Sequence, residues 1–167
     1  LGEIYTFGPT FRAENSNTTR HLTEFTGVDF EMGFINDYTD VMDMIEKMFK
    51  YLFKELKDKA KKELETLNVQ IDVPEHIPRI SMSEVKELLK EKGKSYTEDE
   101  DLDPEGEKLI GEIVKEKYNS DMFFLTEFPV AVRPFYHMRF DDKPNVTKSF
   151  DILFKGVEIA TGAQREH

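Results

Sequence analysis

Alternation of polar and apolar side chains over the first 35 residues predicts an antiparallel β-hairpin. Residues 4–13 are strand-like, and a polar stretch occupies residues 15–21. Apolar side chains then alternate with polar residues and glycines, at Val28, Phe30, Met32 and Phe34. A period of two gives a strand one apolar and one polar face. We expect the apolar face to pack against the helix that follows.

The apolar spacing changes to three and four beyond residue 38, which predicts a long helix over roughly 39–64. Its apolar stripe consists of Val41, Ile45, Met48, Leu52 and Leu56. A stripe of this kind faces the protein core, whereas the remaining Lys- and Glu-rich surface faces solvent.

Two shorter helices and several strands complete the pattern. The helices are predicted at 81–92, ended by Gly93, and at 104–118, capped by Asp103. Strand-like segments follow at 122–125, 135–139, 149–154 and 157–160. This order predicts an α+β fold, in which an antiparallel β-sheet is flanked by helices and carries a small helical insertion at roughly 72–120.

Composition narrows the chemistry that the chain can perform. Its 167 residues suit one domain or part of one. It has no cysteine, which excludes disulfides, thiolate zinc sites and cysteine nucleophiles, so a metal would be held by oxygen or imidazole ligands. A net charge of −11 argues against strong binding of nucleic-acid phosphates by this chain. No long apolar run or signal sequence is present, and we expect a cytoplasmic protein without membrane contact.

The polar face of the predicted hairpin is the first candidate site. Residues two apart on a strand share a face, so Arg12 and Glu14 point the same way on the first strand. Phe25, Asp29 and Glu31 share a face on the second strand. One sheet face could therefore gather an arginine, three carboxylates and an aromatic ring. A simple amphipathic hairpin with its polar face in water gives the same pattern, and is the more common case.

The C-terminal hairpin is the second candidate site. A two-residue turn at residues 155–156 would pair Phe154 with Val157 and Asp151 with Ala160. Glu158 then lies on the face of Asp151, diagonally adjacent to it. Two carboxylates on neighbouring strands can share a Mg2+ ion with triphosphate oxygens. A surface acidic pair fits the spacing equally well.

Longer strings of sequence distinguish a functional site from a simple polar surface at both hairpins. The string Phe11-Arg-Ala-Glu-Asn-Ser-Asn-Thr-Thr-Arg-His-Leu-Thr-Glu-Phe25, followed by Asp29-Phe-Glu-Met32, closely resembles motif 2 of the class II aminoacyl-tRNA synthetases. Asp151, Gly156-Val-Glu-Ile159 and Thr161-Gly-Ala-Gln-Arg165 look like the signature that precedes motif 3 in the aspartyl branch. The string from Phe128 to Tyr136 is also similar to that branch.

Two details of the resemblance favour aspartate over asparagine. The asparagine branch typically has Glu-Pro in place of Asp29-Phe30, and Gly-Gly-Ser-Gln-Arg in place of the string that begins at Thr161. The ending Gln-Arg-Glu-His167 is typical of archaeal-type members, within the archaeal and eukaryotic group. The lysine branch usually lacks the Phe-Arg-Ala-Glu string.

The resemblance implies roles in binding ATP. Arg12 would be the catalytic residue, which holds the α-phosphate and the reacting carboxylate with its planar fork. Glu14 would accept a hydrogen bond from the adenine amino group, and Phe25 would stack on the adenine ring. The outer phosphates would be contacted by Arg20 or His21.

The resemblance also implies metal, amino-acid and tRNA contacts. Asp151 and Glu158 would bind Mg2+, and Glu158 would also contact ATP. L-aspartate would be bound by Asp29, Glu31, Thr161 and Arg165. The acceptor end of tRNA would be met by Ser16 and Thr18.

Arg165 raises a geometric problem for this assignment. It follows Glu158 by seven residues, so strict alternation places the two side chains on opposite faces of the strand. We expect a bulge or bend at Gly162 to redirect the arginine.

The implied activity is ATP-dependent activation of L-aspartate to aspartyl-adenylate and its transfer to tRNA(Asp); charging of tRNA(Asn) as well stays open. The alternatives are an asparaginyl enzyme, a tRNA-independent class II-like asparagine synthetase and a non-catalytic binding module. The resemblance implies that motif 2 spans 4–34 and the strands before motif 3 span 147–165. We expect motif 1, motif 3 and the N-terminal anticodon-binding barrel to lie outside the chain. We expect a catalytic-domain fragment that is inactive alone, from a homodimeric parent enzyme.

Overall fold

The protein forms two compact units, Leu1–Asn36 and Asp37–His167. The structure, a computed structural model, describes residues 2–13, 22–72 and 74–167. The first unit is an antiparallel ribbon of β1 (Glu3–Phe11) and β2 (Glu24–Met32). The strands pair without a register shift from Glu3 opposite Met32 to Phe11 opposite Glu24. The predicted hairpin is therefore confirmed.

The apolar side of this ribbon differs from its prediction in one respect. Phe34 lies beyond the end of β2, has a φ of 61° and is 94% exposed. It therefore belongs to the turn that leaves the ribbon, since a residue with positive φ cannot continue a strand. Val28 is on the strand and is 60% exposed. Packing of this face against the long helix stays a prediction.

Four α-helices belong to the second unit: α1 (Tyr38–Lys59), α2 (Lys61–Leu67), α3 (Met82–Glu91) and α4 (Pro104–Tyr118). Side chains satisfy the first free N–H groups of three of them. The carboxylates of Asp37 and Asp103 accept from N–H groups of α1 and α4, and Ser81 forms a capping box with Glu84 on α3. The single helix predicted over 39–64 is interrupted at Ala60.

The buried stripe of α1 is rotated from the predicted one. Its buried residues are Tyr38, Met42, Ile45, Phe49 and Phe53, so only Ile45 was predicted correctly. Met48 and Leu52, which belong to the predicted stripe, are exposed. The helix carries apolar residues on two faces, and both sets recur at spacings of three and four. The larger aromatic rings determine the outcome, since Phe53 packs 5.9 Å from the ring of Phe154.

The sheet of the second unit has the order β3-β4-β5-β6, formed by β3 (Arg79–Ser81), β4 (Met122–Thr126), β5 (Ser149–Phe154) and β6 (Val157–Ala163). The α+β class is confirmed, but β3 and β4 are parallel, so the sheet is not wholly antiparallel. The strand predicted at 135–139 is wrong: this segment makes only single bridges, between His137 and Arg165 and between Arg139 and Thr147. β3 is too short to show an alternating pattern, and was not predicted.

The two faces of the sheet are covered by different helices. Phe154 contacts Phe53 of α1, and Phe150, four residues earlier on the same face, packs 5.7 Å from Phe124. The opposite face packs against α3 and α4 in a core that includes Val85, Leu89, Ile110, Val114, Phe123, Leu125 and Leu153. Asp151 lies two residues before Leu153 on β5, and therefore on the face covered by the insertion helices.

An acidic loop between α3 and α4 is held by one lysine. The Nζ of Lys86 donates to the carbonyl oxygens of Thr97, Glu98 and Glu100, at 2.8, 2.9 and 2.6 Å. Burial lowers the pKa of Lys86, while the carboxylates of residues 98–101 oppose that shift. The lysine thus provides both hydrogen bonds and charge compensation for the loop. None of the helices in the part of the chain that the structure describes is long and apolar enough to cross a membrane.

We predict that Lys86→Met loosens this loop without unfolding the helices. The loss of three charge-assisted hydrogen bonds should raise amide hydrogen exchange in residues 97–103 by about tenfold or more. Lys90→Met is the matched control, because Lys90 lies on the same helix and is exposed. Unchanged exchange in the Lys86 variant, or an equal rise in the control, would contradict this role.

Candidate functional site

The first cluster lies on one face of the β1–β2 ribbon. The guanidinium carbon of Arg12 is 5.3 Å from the centroid of the Phe25 ring. The backbone N–H of Arg12 donates to the carbonyl of Thr23 at 2.9 Å, which extends the pairing by one step beyond β1. Arg12 and Phe25 therefore lie side by side, as the alternation predicted.

The two acidic residues of β2 continue this face away from the arginine. Asp29 lies opposite Thr6, and Glu31 lies opposite Ile4. Cross-strand partners share a face, so Phe25, Asp29 and Glu31 follow one another along the ribbon on the side of Arg12. The structure brings these four predicted residues onto one surface.

A pair of glycines occupies the centre of that surface, a feature that sequence reasoning missed. Gly8 and Gly27 lie opposite each other, between Phe25 and Asp29. A Cβ atom on Gly27 would lie 2.8 Å from Oγ1 of Thr10 and 3.3 Å from Oδ2 of Asp29. Gly27 thus allows the side chains of Thr10 and Asp29 to approach the backbone closely, whereas the space beside Gly8 is open.

Five predicted site residues lie outside the described residues: Glu14, Ser16, Thr18, Arg20 and His21. Their roles stay predictions.

The second cluster depends on a register shift between β5 and β6. Phe154 pairs with Val157 as predicted, but Asp151 pairs with Thr161 and not with Ala160. The reason is a β-bulge between the Ile152 and Leu153 pairs, where β6 contains one extra residue, Ile159. The predicted partner of Asp151 was therefore wrong by one residue.

The bulge gathers the acidic and polar residues of β6 on one face. Glu158 pairs with Leu153 and Thr161 pairs with Asp151, so all four share a face although Thr161 is three positions beyond Glu158. Normal alternation from Thr161 then gives Arg165 the same parity. The expected bulge at Gly162 is wrong in its position, because the shift occurs at Ile159.

Gly162 has a different structural role. A Cβ atom there would approach Cζ of Phe150 to 2.4 Å, so the glycine allows close contact with that ring. Beyond β6, Arg165 forms a backbone bridge with His137. Its guanidinium carbon is 4.6 Å from the centroid of the Tyr136 ring. Stacking on an aromatic face orients an arginine at little entropic cost.

Asp151 is buried and paired with an arginine. It is 7% exposed, and its Oδ2 accepts from a terminal nitrogen of Arg133 at 2.5 Å. The guanidinium carbon of Arg133 lies 3.5 Å from the centroid of the Phe128 ring. Burial raises the pKa of Asp151, while the positive charge and hydrogen bond of Arg133, and after them the nearby hydroxyl of Thr161, oppose that rise. The string from Phe128 to Tyr136 resembles the aspartyl branch, and this similarity was the sequence signal that could have identified Arg133. Arg133 was not assigned a role.

Glu158 carries the second carboxyl group of this cluster. Desolvation, followed by the negative charge of Asp151, raises the pKa of Glu158 to about 7. Part of the residue is open to solvent, but the carboxyl lies within reach of other acidic groups, including Glu107 and Asp101. Accumulated negative charge of this kind favours a proton or a cation.

The carboxylates of Asp151 and Glu158 fit a divalent cation whose other ligands come from substrate and water. Oδ1 of Asp151 is buried and has no hydrogen-bond partner. Among the described residues, no group of three or more His, Asp or Glu side chains is arranged to hold a metal ion. Two carboxylates are nevertheless what Mg2+ uses when substrate phosphates and water complete its octahedron. Asp151 and Glu158 fit that incomplete set.

A cavity of about 410 Å³ lies elsewhere in the second unit and is not part of this cluster. It is lined by Asp43, Glu46, Lys47, Lys50, His76, Ile77 and Arg79. Its charged groups already pair with one another, because Arg79 contacts Asp43 and Lys50 contacts Glu46. We assign no ligand to it.

The chain belongs to the class II tRNA synthetases for aspartate, lysine and asparagine, and the model of that family matches residues 1–167. It is 40% identical to the aspartate–tRNA(Asp) ligase of Pyrococcus horikoshii and covers 38% of it. It is 44% identical to the aspartate–tRNA(Asp/Asn) ligase of Aeropyrum pernix, with the same coverage. Each match includes 100% of this chain.

A solved structure of aspartyl-tRNA synthetase from Entamoeba histolytica shares the fold, with a TM-score of 0.92 at 38% identity. That match covers 99% of this chain and 35% of the other. The chain thus spans 38% of the length of the two curated relatives. The resemblance expected from the motif strings is confirmed.

His137 gives a test of the electrostatics. Burial, together with the positive charges of Arg133 and Arg165, lowers its pKa from 6.5 to about 4. Between these values the unfolded chain binds a proton at this side chain and the folded protein does not. Stability from this residue is therefore complete above about pH 6.5 and is lost as the pH falls towards 4.

We predict that His137→Gln reduces the loss of stability between pH 7 and pH 5, measured by urea unfolding of the intact protein. His76→Gln is the control, because the His76 side chain is 84% exposed. An identical pH dependence in wild type and His137→Gln would contradict the assignment.

Proposed function

We propose that the parent enzyme is an aspartate–tRNA ligase, which activates L-aspartate with ATP and transfers it to tRNA. The observation that carries the proposal is the likeness to aspartate–tRNA ligases along the whole chain. The clustering of Arg12 with Phe25, and of Asp151 with Glu158, Thr161 and Arg133, supports it chemically.

The ribbon supplies the chemistry expected for adenylate formation. The reaction brings an amino-acid carboxylate to the α-phosphate of ATP and expels pyrophosphate, so repulsion between two anions must be overcome. In the proposal Arg12 binds both anions, since a planar guanidinium can make two parallel hydrogen bonds. Phe25 stacks on adenine beside it. Glu14, Arg20 and His21 are proposed to bind the adenine amino group and the outer phosphates.

We propose that Asp151 and Glu158 hold the Mg2+ that accompanies ATP. When bound, this ion neutralises charge on the phosphates. The protein's own part is to keep two carboxylates on one face and to leave Oδ1 of Asp151 without a hydrogen-bond donor. The raised pKa of Glu158 is consistent with a carboxyl group whose negative charge lacks compensation in the protein alone.

Selection of aspartate is proposed to use charges at both ends of the amino acid. Asp29 and Glu31 would attract the α-ammonium group, and Arg165 would pair with the side-chain carboxylate, beside Thr161. The stacking of Arg165 on Tyr136 supports this assignment, because it holds the guanidinium in a defined orientation. A cation in that place disfavours asparagine, whose amide is neutral.

The remaining partners belong to the same proposal. The tRNA is tRNA(Asp), with its acceptor end at Ser16 and Thr18, and tRNA(Asn) is a second candidate because the Aeropyrum pernix relative is named for both. We propose that the parent enzyme is a cytoplasmic homodimer.

One experiment separates the candidate functions. ATP–pyrophosphate exchange by the full-length protein is measured with aspartate or asparagine, each with and without tRNA. We expect exchange with aspartate alone. Exchange with asparagine alone would indicate an asparaginyl enzyme, and ammonia-dependent formation of free asparagine would indicate an asparagine synthetase. A lack of exchange with either amino acid would indicate a binding module.

We predict that Arg12→Lys lowers aspartate-dependent exchange by about 10²–10³-fold, because lysine keeps the charge but loses the fork. Arg79→Lys is the matched control, because Arg79 also lies over an aromatic ring, that of Phe124, and its ion pair is with Asp43, away from the ribbon. Near-normal exchange in the Arg12 variant would remove Arg12 from the proposed role.

A further inference from the structure

Arg133 is a charged residue that no proposed step uses, yet the structure holds it tightly. It follows a short 3-10 turn at Val130–Val132, and its backbone N–H donates to the carbonyl of Val130. Its side chain is 12% exposed, lies over the ring of Phe128 and contacts Asp151. Phe128 is itself fully buried. The arginine is thus clamped between a ring and a carboxylate.

The segment behind Arg133 is also anchored. Oγ1 of Thr147 donates to the carbonyl of Phe128 at 3.0 Å, and the backbone N–H of Thr147 donates to the same oxygen at 2.9 Å. Thr147 and Ser149 share a further hydrogen bond at 2.8 Å, just before Asp151 on β5. The ring that supports Arg133 is therefore tied to the strand that carries Asp151.

The ion pair is only half satisfied, which is unusual for a buried pair. Oδ2 of Asp151 meets Arg133, whereas Oδ1 is closed to solvent without a partner. Nε of Arg133 also lacks a partner. Each such buried group has lost its hydrogen bonds to water without replacement. An arrangement that leaves one oxygen bare is poor for stability alone, but it suits a carboxylate that must accept a cation on its second oxygen.

We propose that Arg133 is a positioning residue, which holds Oδ2 of Asp151 and thereby leaves Oδ1 as the oxygen that meets the divalent cation brought with ATP. Arg133 binds neither substrate nor cation in this proposal, and acts only through Asp151. Its guanidinium fork and its stacking on Phe128 fix the rotation of the carboxylate. This inference rests on the proposed metal role of Asp151.

The test measures cation binding and not turnover. Mn2+ is titrated into the full-length protein with adenosine 5′-(β,γ-methylene)triphosphate, and bound Mn2+ is followed by electron paramagnetic resonance. Arg133→Met should weaken Mn2+ binding about tenfold or more. Arg133→Lys keeps the charge without the fork, and should also weaken it. Binding of the nucleotide in the presence of EDTA should stay within about twofold of wild type, because Arg133 acts on the cation site. Arg79→Lys is the matched control.

A double-mutant cycle separates positioning from a general structural role. In an Asp151→Asn background, Arg133→Met should change Mn2+ affinity less than about twofold, since the group through which it acts is gone. An equal effect of Arg133→Met in both backgrounds would overturn the proposal. So would a variant with lower stability but wild-type Mn2+ affinity. If Arg133→Met fails to fold, Arg133→Lys provides the same comparison.

Failure of this inference is distinguishable from failure of the proposed function. If the wild-type protein shows no aspartate-dependent exchange, the proposed function fails whatever the Arg133 variants do. If exchange occurs and the cycle shows no coupling, only the role of Arg133 is lost.

Discussion

Register between β5 and β6 controls the chemistry of the second unit. A β-strand alternates its side chains strictly, so one inserted residue transfers every later residue to the other face. The bulge at Ile159 does this once, and as a result Glu158 and Thr161 lie on the same face as Asp151. Without it, Thr161 would project towards Phe150 and Ile152, on the side that packs with α1. A single backbone irregularity is therefore the condition for bringing these polar groups together.

Asp151 is buried in that arrangement, and burial determines the electrostatic environment of its carboxylate. The strand that carries it is covered by the insertion helices on one face, so the carboxylate loses solvent. Arg133 returns only part of the lost stabilisation, since one carboxylate oxygen remains without a donor. Burial, followed by the positive charges of Arg133 and Arg165, in turn lowers the pKa of His137. The protonation of each titratable group in this cluster thus depends on the charges of its neighbours.

Much of this architecture could be predicted from the sequence, and the failures have physical causes. The β1–β2 ribbon and the helices α3 and α4 were predicted because their periodicity and caps are local signals. The stripe of α1 was misplaced because two apolar faces satisfy the same spacing, and packing of Phe49 and Phe53 selects one. The bulge left no mark in the pattern, since it is defined by a partner strand. Arg133 was not assigned a role because its partner is a carboxylate 18 residues away.

The parallel pairing of β3 with β4 has a consequence for how homologues can vary. The chain reaches β4 from β3 only by way of α3 and α4, whose apolar faces also cover the sheet. Deletion of either helix would therefore expose core residues of the sheet. The acidic loop between them carries no such burden, since its ends are already close and Lys86 binds its carbonyls. Insertions and deletions should accumulate there during evolution, because lengthening a closed surface loop costs little conformational entropy.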